Sequence, residues 1–368
     1  MHKNLRRTFV VRAPAALAAS LLSLPIPAAL AQPPAAPLKI GFVYVSPVGQ
    51  AGWSYQHDLG RQAMERNLGA QLKTTVVESV AEGPDAERVM RDLVAQGHKL
   101  IFATSFGYLE SALRVAADHP DVKFEHTGGY KTAPNLKTYD ARYYEARWLA
   151  GRLAALNSKS GIAGYVAGFP VPEVVQGINA FALGMRSVNP KASVRVVWLD
   201  TWFDPPRERD AAITLVHQGA DVLTNHTASP AVALAAEEQG VKLLANQSDM
   251  SRFAPRAQLA AVTHHWGDYY TKVARDVIAD TWKPTPVWGG LKDGMVQLSA
   301  LNPALPAAHK AAIDTARASL LSGRTGVFAA PLADNAGRLR LAQGTLPDAQ
   351  IASMDWFVQG VAGSVPAK

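Results

Sequence analysis

The chain repeats itself, and that repeat limits its fold more than any other feature. The stretch 94–129, VAQGHKLIFATSFGYLESALRVAADHPDVKFEHTGG, runs in register with 216–249, VHQGADVLTNHTASPAVALAAEEQGVKLLANQSD. Gln96–Gly97 falls on Gln218–Gly219, and the apolar and alanine-rich segments that follow stay aligned. Upstream, VVESVAEGPDAERVMRDL matches VVWLDTWFDPPRERDAAITL with two extra residues, and KIGFVYV matches GIAGYVA. Each copy alternates short β-branched runs with longer amphipathic stretches, the pattern of βαβ units and parallel sheets. The expected fold is therefore α/β: two doubly wound, Rossmann-like lobes with parallel sheets. Two later segments, AVTHHWGDYY and PVWGGLKDGMVQLS, read as strands that cross between the lobes. The expected division is 39–157 plus about 260–285 for the N-terminal lobe. It leaves 158–259 plus about 286–368 for the C-terminal lobe.

The first 31 residues read differently. Lys3, Arg6, Arg7 and Arg12 come without an acid, a short Ala/Leu-rich segment follows, and the stretch closes on ALA. This is the basic region, apolar region and small-residue cleavage site of a secretory signal peptide. RRTFVV is a partial match to a twin-arginine export signal. It lacks the usual Ser before the arginines and the usual Lys after the apolar pair. Pro25 and Pro27 and the short apolar run argue against a membrane anchor. Residues 32–38 read as a proline-rich tether. Removing the leader takes four positive charges from a formal net of +7, so pI 9.5 overstates the working charge. No basic run remains to suit nucleic acid. The chain has no cysteine, which excludes disulfides, Cys-ligated zinc, thiol catalysis and an N-terminal lipid on Cys. The expected product is a soluble, exported protein.

Open α/β sheets bind ligands beyond the carboxyl ends of their strands, so the residues after each apolar run are the site candidates. In the first lobe these are Trp53, Tyr55, Gln56, His57 and Asp58, then Ser105, Phe106 and Tyr108, then Glu125, His126 and Thr127. In the second they are Phe169, Pro172 and Glu173, then Trp202, Phe203 and Asp204, then Asn225, His226 and Thr227, then Asn246, Gln247, Ser248 and Asp249. The crossing segments add Trp266 and Lys292–Asp293. No G-x-x-x-x-G-K-[ST] or G-x-G-x-x-G loop is present, and no nucleophile elbow. Aromatics, acids and amides at strand ends form a surface for stacking a flat ligand and hydrogen-bonding its rim.

Several of these residues carry a second reading. Trp53, in GQAGWSYQHD, is either a ligand wall or a staple packed on its own helix. One of Trp202 and Phe203 faces inward as core, because neighbours on an extended segment point opposite ways. His126 and His226 either bond the ligand or cap strand ends. Asp58 has a helix-capping role open to it and Asp249 a turn role. His264 and His265 diverge on a strand, so one metal does not easily take both. Trp266, Trp282 and Trp288 read as core or inter-lobe packing.

The stretches VQGINAFALGMRSVNP, TWFDPPRERDAA, QGADVLTNHTASP and NQSDMSRFAP resemble the basic membrane protein (BMP/PnrA-like) family. These are substrate-binding proteins of ABC importers with the type I periplasmic binding protein fold. The resemblance covers essentially the whole mature chain. It implies a purine base, adenine above others, or a purine nucleoside held in the inter-lobe cleft between one aromatic from each lobe. By position it points to Trp53 and to Trp202 or Phe203 as the stacking faces, Asp249 as the second-lobe acid and Lys292 as the late basic residue. The ligand-binding set is then Trp53, Tyr55, Phe106, Glu125, His126, Trp202, Phe203, Asn225, Asp249 and Lys292. The implied partner is an inner-membrane ABC permease, with no nucleic acid, no cofactor and no metal, and with the receptor a monomer. Many family members are lipoproteins, and the missing cysteine sets this chain apart. The bulky rings of GWSYQHD favour the base alone over a nucleoside. The alternatives are a sugar receptor of the same fold and a nucleoside hydrolase.

Overall fold

The computed structural model describes residues 8–11 and 36–367. The expected leader, and residues 32–35 of the expected tether, lie almost entirely outside them. From Pro37 onward the chain forms one compact unit. Among the described residues no helix is long and apolar enough to cross a membrane.

In chain order the elements are β1 (Leu38–Val43), α1 (Trp53–Leu68), β2 (Leu72–Val77), α2 (Pro84–Ala95), β3 (Leu100–Ala103), α3 (Leu109–Asp118), β4 (Lys123–Thr127) and β5 (Leu136–Ala141). Next come α4 (Tyr143–Asn157), β6 (Ile162–Ala167), α5 (Pro172–Arg186), β7 (Ser193–Trp198), α6 (Pro205–His217), β8 (Val222–His226), α7 (Ala231–Gln239) and β9 (Lys242–Gln247). The chain continues through β10 (Gln258–His264), α8 (Gly267–Ile278), β11 (Val287–Gly289), β12 (Val296–Leu298) and α9 (Ala307–Leu321).

Two six-stranded sheets result, ordered β11-β5-β4-β3-β1-β2 and β12-β10-β9-β8-β6-β7. Read from the far edge, both follow the same doubly wound path, as the repeat implies. Every ladder within them is parallel except β10–β12. The strands read as continuous apolar runs because helices cover both faces. Ile40, Phe42, Val43, Leu100, Ile101 and Phe102 are completely buried, as are Tyr165, Val166, Leu223, Leu244 and Val262.

The crossings differ from the expected division. Helix α4, placed with the first lobe by the 39–157 boundary, packs on the second lobe: it lies against α5, and Arg147 bonds Thr224 and the Asn225 carbonyl in β8. Strand β10, placed in the first lobe by the 260–285 segment, hydrogen-bonds β9 and β12 in the second sheet. Strand β11, placed in the second lobe, pairs with β5 in the first. The physical reason is an exchange of helices. Each lobe's fifth strand is followed by a helix that caps the other lobe, α4 on α5 and α8 on α1. The lobes therefore trade chain near 142, 265 and 290, where the sequence repeat itself gives no mark.

Backbone contact fixes the α4–α5 crossing. A methyl group at Gly151 would overlap the Phe181 carbonyl oxygen, and one at Gly184 would overlap that of Trp148. Helices this close can pack only where one side chain is missing from each. Gly151→Ala should therefore destabilise the fold by about 1–3 kcal/mol, the usual cost of overpacking a tight core. A lowered denaturant midpoint with unchanged slope would show it. An unchanged midpoint would mean the helices part freely and the crossing constrains nothing.

Candidate functional site

The carboxyl ends of the two sheets face each other across a cleft, and the lobes touch along one side of it. The contact begins at Gly52, the residue before α1, whose φ is +97°. Its missing side chain lets the Ala228 carbonyl of the second lobe approach its Cα, where a Cβ would collide with that oxygen. Gly52 N–H donates to Ser248 Oγ at 2.8 Å, Ser248 Oγ donates back to the Gly52 carbonyl at 3.2 Å, and Gln56 Nε2 donates to the same Oγ at 3.1 Å. A second tie joins Trp202 Nε1 to Glu82 Oε1 at 3.1 Å.

Between these ties lies a narrow pocket lined by Val45, Trp53, Ser105, Phe106, Thr127, Glu173, Trp202, His226, Ala228 and Gln247. It is apolar in its larger part, with polar groups at a few points, the usual make-up of a small-molecule site. A wider chamber adjoins it and shares Phe106, Glu173 and Trp202; Asp140, Tyr130, Phe169 and Gln176 also line it.

Trp53 is packed as core and also lines the cavity. It starts α1, is 8% exposed, and lies edge to face against His57, Tyr143 and His264. Its Nε1–H donates to the Thr104 carbonyl at 2.6 Å. The ring is thus held as core while one part of it forms the cavity wall. Phe106 opens a single 3₁₀ turn after β3 and stands in both chambers. In the second lobe Trp202 lines both chambers, its ring against Phe169 at 4.9 Å between centroids. Phe203 lines neither chamber; like Trp202 it packs, partly buried, against the main core.

The polar lining is incompletely satisfied. Thr127 Oγ1, His226 Nδ1 and Gln247 Oε1 are buried without a hydrogen-bond partner. Most buried polar groups are paired, so unpaired atoms on three residues that line one cavity leave hydrogen-bonding capacity there for a polar molecule. Gln247 ends β9 with φ +67°, a costly conformation for a residue with a Cβ, and strain of this kind collects at binding sites. Glu173 stands in the first turn of α5, its Oε1 3.5 Å from His226 Nε2. Burial raises its carboxyl to about 7, and burial lowers His226 to about 3, so that ring is neutral. Across the cleft Asp140 is raised well above the carboxylate range, by burial and then by the charge of Glu173.

Other expected site residues serve structure. Glu125 is fully buried but points to the opposite face of β4. There it accepts from Tyr269 and Trp282, both at 2.6 Å, and pairs with Lys137 at 3.3 Å. Its neighbour His126 is buried beside Gly129 and the backbone of Ser105 and Phe106, behind the cavity wall. Asn225 is completely buried and bonds the Thr227 carbonyl and hydroxyl. Tyr55 is half-buried on α1 and lines neither chamber. Asp249 is exposed and takes its turn role, accepting from Ser251 N–H at 2.8 Å and Gln258 Nε2 at 3.0 Å. Those donors hold its carboxyl below the usual range against the opposing effect of burial. Lys292 is exposed in the turn between β11 and β12. The lining that the ten-residue set lacked was in the longer strand-end reading: Ser105, Thr127, Glu173, His226 and Gln247. Only Val45 and Ala228 had no signal in the sequence.

The arrangement is a cleft between two doubly wound lobes, and the chain's relatives fit it. Residues 38–322 match the family described as Bmp, ABC transporter substrate-binding protein PnrA-like. The chain belongs to that family. It is 45% identical over 330 residues to the purine-binding protein of Brucella abortus (strain 2308), covering 89% of this chain and 94% of the relative. It is 35% identical over 326 residues to a Haloferax volcanii protein provisionally named as an ABC transporter glucose-binding protein, covering 89% and 81%. Among solved structures, an ABC transporter solute-binding protein from Aeropyrum pernix K1 superposes with a TM-score of 0.67 at 18% identity, covering 78% of this chain and 92% of that one. At that identity the likeness concerns the fold, which is the type I periplasmic one.

Two sets of buried groups oppose each other as pH changes. Burial holds His57, His126 and His226 at about 3 and His264 well below its usual value. An unfolded histidine takes its proton near 6.5, so their stabilisation is full above that pH and is lost as pH falls toward 3. Glu125 and Glu173, raised to about 7, and Asp140, also raised by burial, act in reverse. Their stabilisation is present below the unfolded value near 4.5 and is lost as pH rises through 7. Between 6.5 and 4.5 the sets offset; below 4.5 only the histidine loss remains. The melting temperature of ligand-free protein should change little from pH 7 to 5 and drop steeply below about 4.5. A steady decline beginning at pH 6.5 would mean the carboxyls do not hold their protons.

Proposed function

We propose that this protein is the periplasmic receptor of an ABC importer for a purine, with the free base, adenine above others, as its ligand. The observation that carries this reading is a pocket walled by aromatic rings from both lobes, Trp53, Phe106 and Trp202, lined also by residues with unpaired polar atoms and opening beside a wider chamber. A purine offers two flat faces and a rim of nitrogen donors and acceptors. Trp53 and Phe106 supply the first-lobe side of the stack and Trp202 the second. Gln247, Thr127, His226 and Glu173 take the rim. Glu173 matters most among these, because a carboxyl raised to about 7 can donate to a ring nitrogen when protonated and accept from an amino group when ionised. The 45% identical Brucella protein named for purine binding supports the same ligand class.

Binding draws the lobes together, because the closed form offers ring and rim contacts that the open form lacks. The closed form then docks an inner-membrane permease. The leader read at the N-terminus exports the chain, and the receptor works as a monomer without cofactor. Nothing in this scheme needs bond cleavage.

A second reading, a purine nucleoside, is favoured by the wider chamber beside the cavity, where Asp140 and Gln176 could meet a sugar's hydroxyls. The name of the Haloferax relative would make the ligand a sugar alone. A free sugar needs hydrogen bonds around its whole rim, and the inner cavity has too few polar groups for that.

Titration calorimetry on protein stripped of endogenous ligand should show adenine binding, adenosine binding more weakly, and no heat with glucose. At a hundred times its dissociation constant adenine should add roughly 2.7 kcal/mol to stability. Trp202→Ala should weaken adenine about ten- to a hundredfold, since base–aromatic stacking is worth about 1–3 kcal/mol. Asp249→Asn and Lys292→Ala should leave affinity unchanged. Glucose binding without purine binding would overturn the assignment.

A further inference from the structure

Glu82 lies in the loop between β2 and α2, beyond the carboxyl end of β2, and was not among the strand-end candidates read from the sequence. One of its carboxylate oxygens, Oε1, accepts three hydrogen bonds. Ser105 Oγ donates at 2.6 Å and Gly107 N–H at 2.9 Å, both from the turn that carries Phe106. The third donor, Trp202 Nε1 at 3.1 Å, comes from the other lobe. The first-lobe contacts hold the carboxylate in place whether or not the lobes meet. The Trp202 contact can exist only when they do. The two aromatics that share both chambers, Phe106 and Trp202, are thus fastened to each other through a single charged acceptor.

We propose that Glu82 is a positioning residue that latches the closed cleft. It sets the Trp202 ring relative to Phe106 and makes closure depend on the indole N–H. The proposal rests on the cleft being the ligand site, but the latch is a property of the two lobes and can be observed without ligand. Hydrogen bonds to charged groups are the stronger kind, and Glu82 has its other donors already in place, so little further ordering accompanies closure. The choice of tryptophan at 202 follows: phenylalanine would give the ring without the donor.

The chain has no cysteine, so Arg88→Cys on α2 and Asp210→Cys on α6, both exposed positions, can carry spin labels without background. Pulsed electron-spin measurement then reads the inter-lobe distance in wild type, Glu82→Ala and Trp202→Phe, each with and without adenine. The proposal expects a short-distance population in the wild type that shrinks several-fold in both variants. It also expects adenine affinity about tenfold weaker in Trp202→Phe, by faster dissociation. Combining the substitutions should add little to either alone. If Glu82→Ala fails to fold, Trp202→Phe decides. A short distance that survives both substitutions overturns the latch, as does a wild type that never shows it. A short distance lost on substitution but indifferent to adenine keeps the latch and removes the purine assignment.

Discussion

The exchange of helices between the lobes is the constraint on which the rest of this structure depends. Helix α4 leaves the first sheet and packs on α5 of the second; α8 leaves the second sheet and packs on α1 of the first. In the α4–α5 pair the backbones come close enough that Gly151 and Gly184 admit no side chain. Neither sheet can cover its face with its own sequence alone, so the lobes fold as partners. The helix that begins with Trp53 is held from behind by α8, where Trp266 and Tyr270 stack on His57. Trp53 is then both part of this core and part of the cavity wall. That arrangement gives the first-lobe side of the cavity its rigidity.

Against this rigid side the second lobe brings groups that are buried but not paired. The structural acid, Glu125, has partners on both oxygens. Among the described residues the acid at the cavity, Glu173, has only a neutral histidine at 3.5 Å. Burial raises both carboxyls to the same range, so protonation alone does not separate the roles. Hydrogen-bond satisfaction does. An unpaired buried polar group costs free energy until something pairs with it. A ligand that supplies donors and acceptors at its rim recovers that cost. One that is merely flat does not, and this sets the cavity apart from a plain hydrophobic slot.

Much of this was legible in the sequence, and the failures share a cause. The internal repeat specified the parallel sheets and their common strand order, because periodic alternation survives divergence between the copies. The strand-end rule placed Trp53, Ser105, Phe106, Thr127, Glu173, Trp202, His226 and Gln247 at the cleft. What it could not give was direction. Glu125 and His126 are neighbours on β4 and point to opposite faces, and neither reaches the cavity. Trp202 and Phe203 lie in the loop between β7 and α6 and both pack against the core, so strand alternation could not separate them, and Trp202 alone lines the cavity. Asp249 lies two residues beyond the end of β9, where the backbone turns and the carboxylate caps that turn instead. The lobe boundaries failed for a related reason. A helix that caps its own lobe and one that caps its neighbour have the same amphipathic pattern, so α4 carried no sign of the exchange.

The central claim is that a purine fills the cavity between the aromatic walls. Its most direct test is chemical: purify the exported protein without ligand, denature it, and weigh what is released by mass spectrometry. The account predicts a purine base, released in amounts approaching one per chain. A sugar or an amino acid in that amount would contradict it.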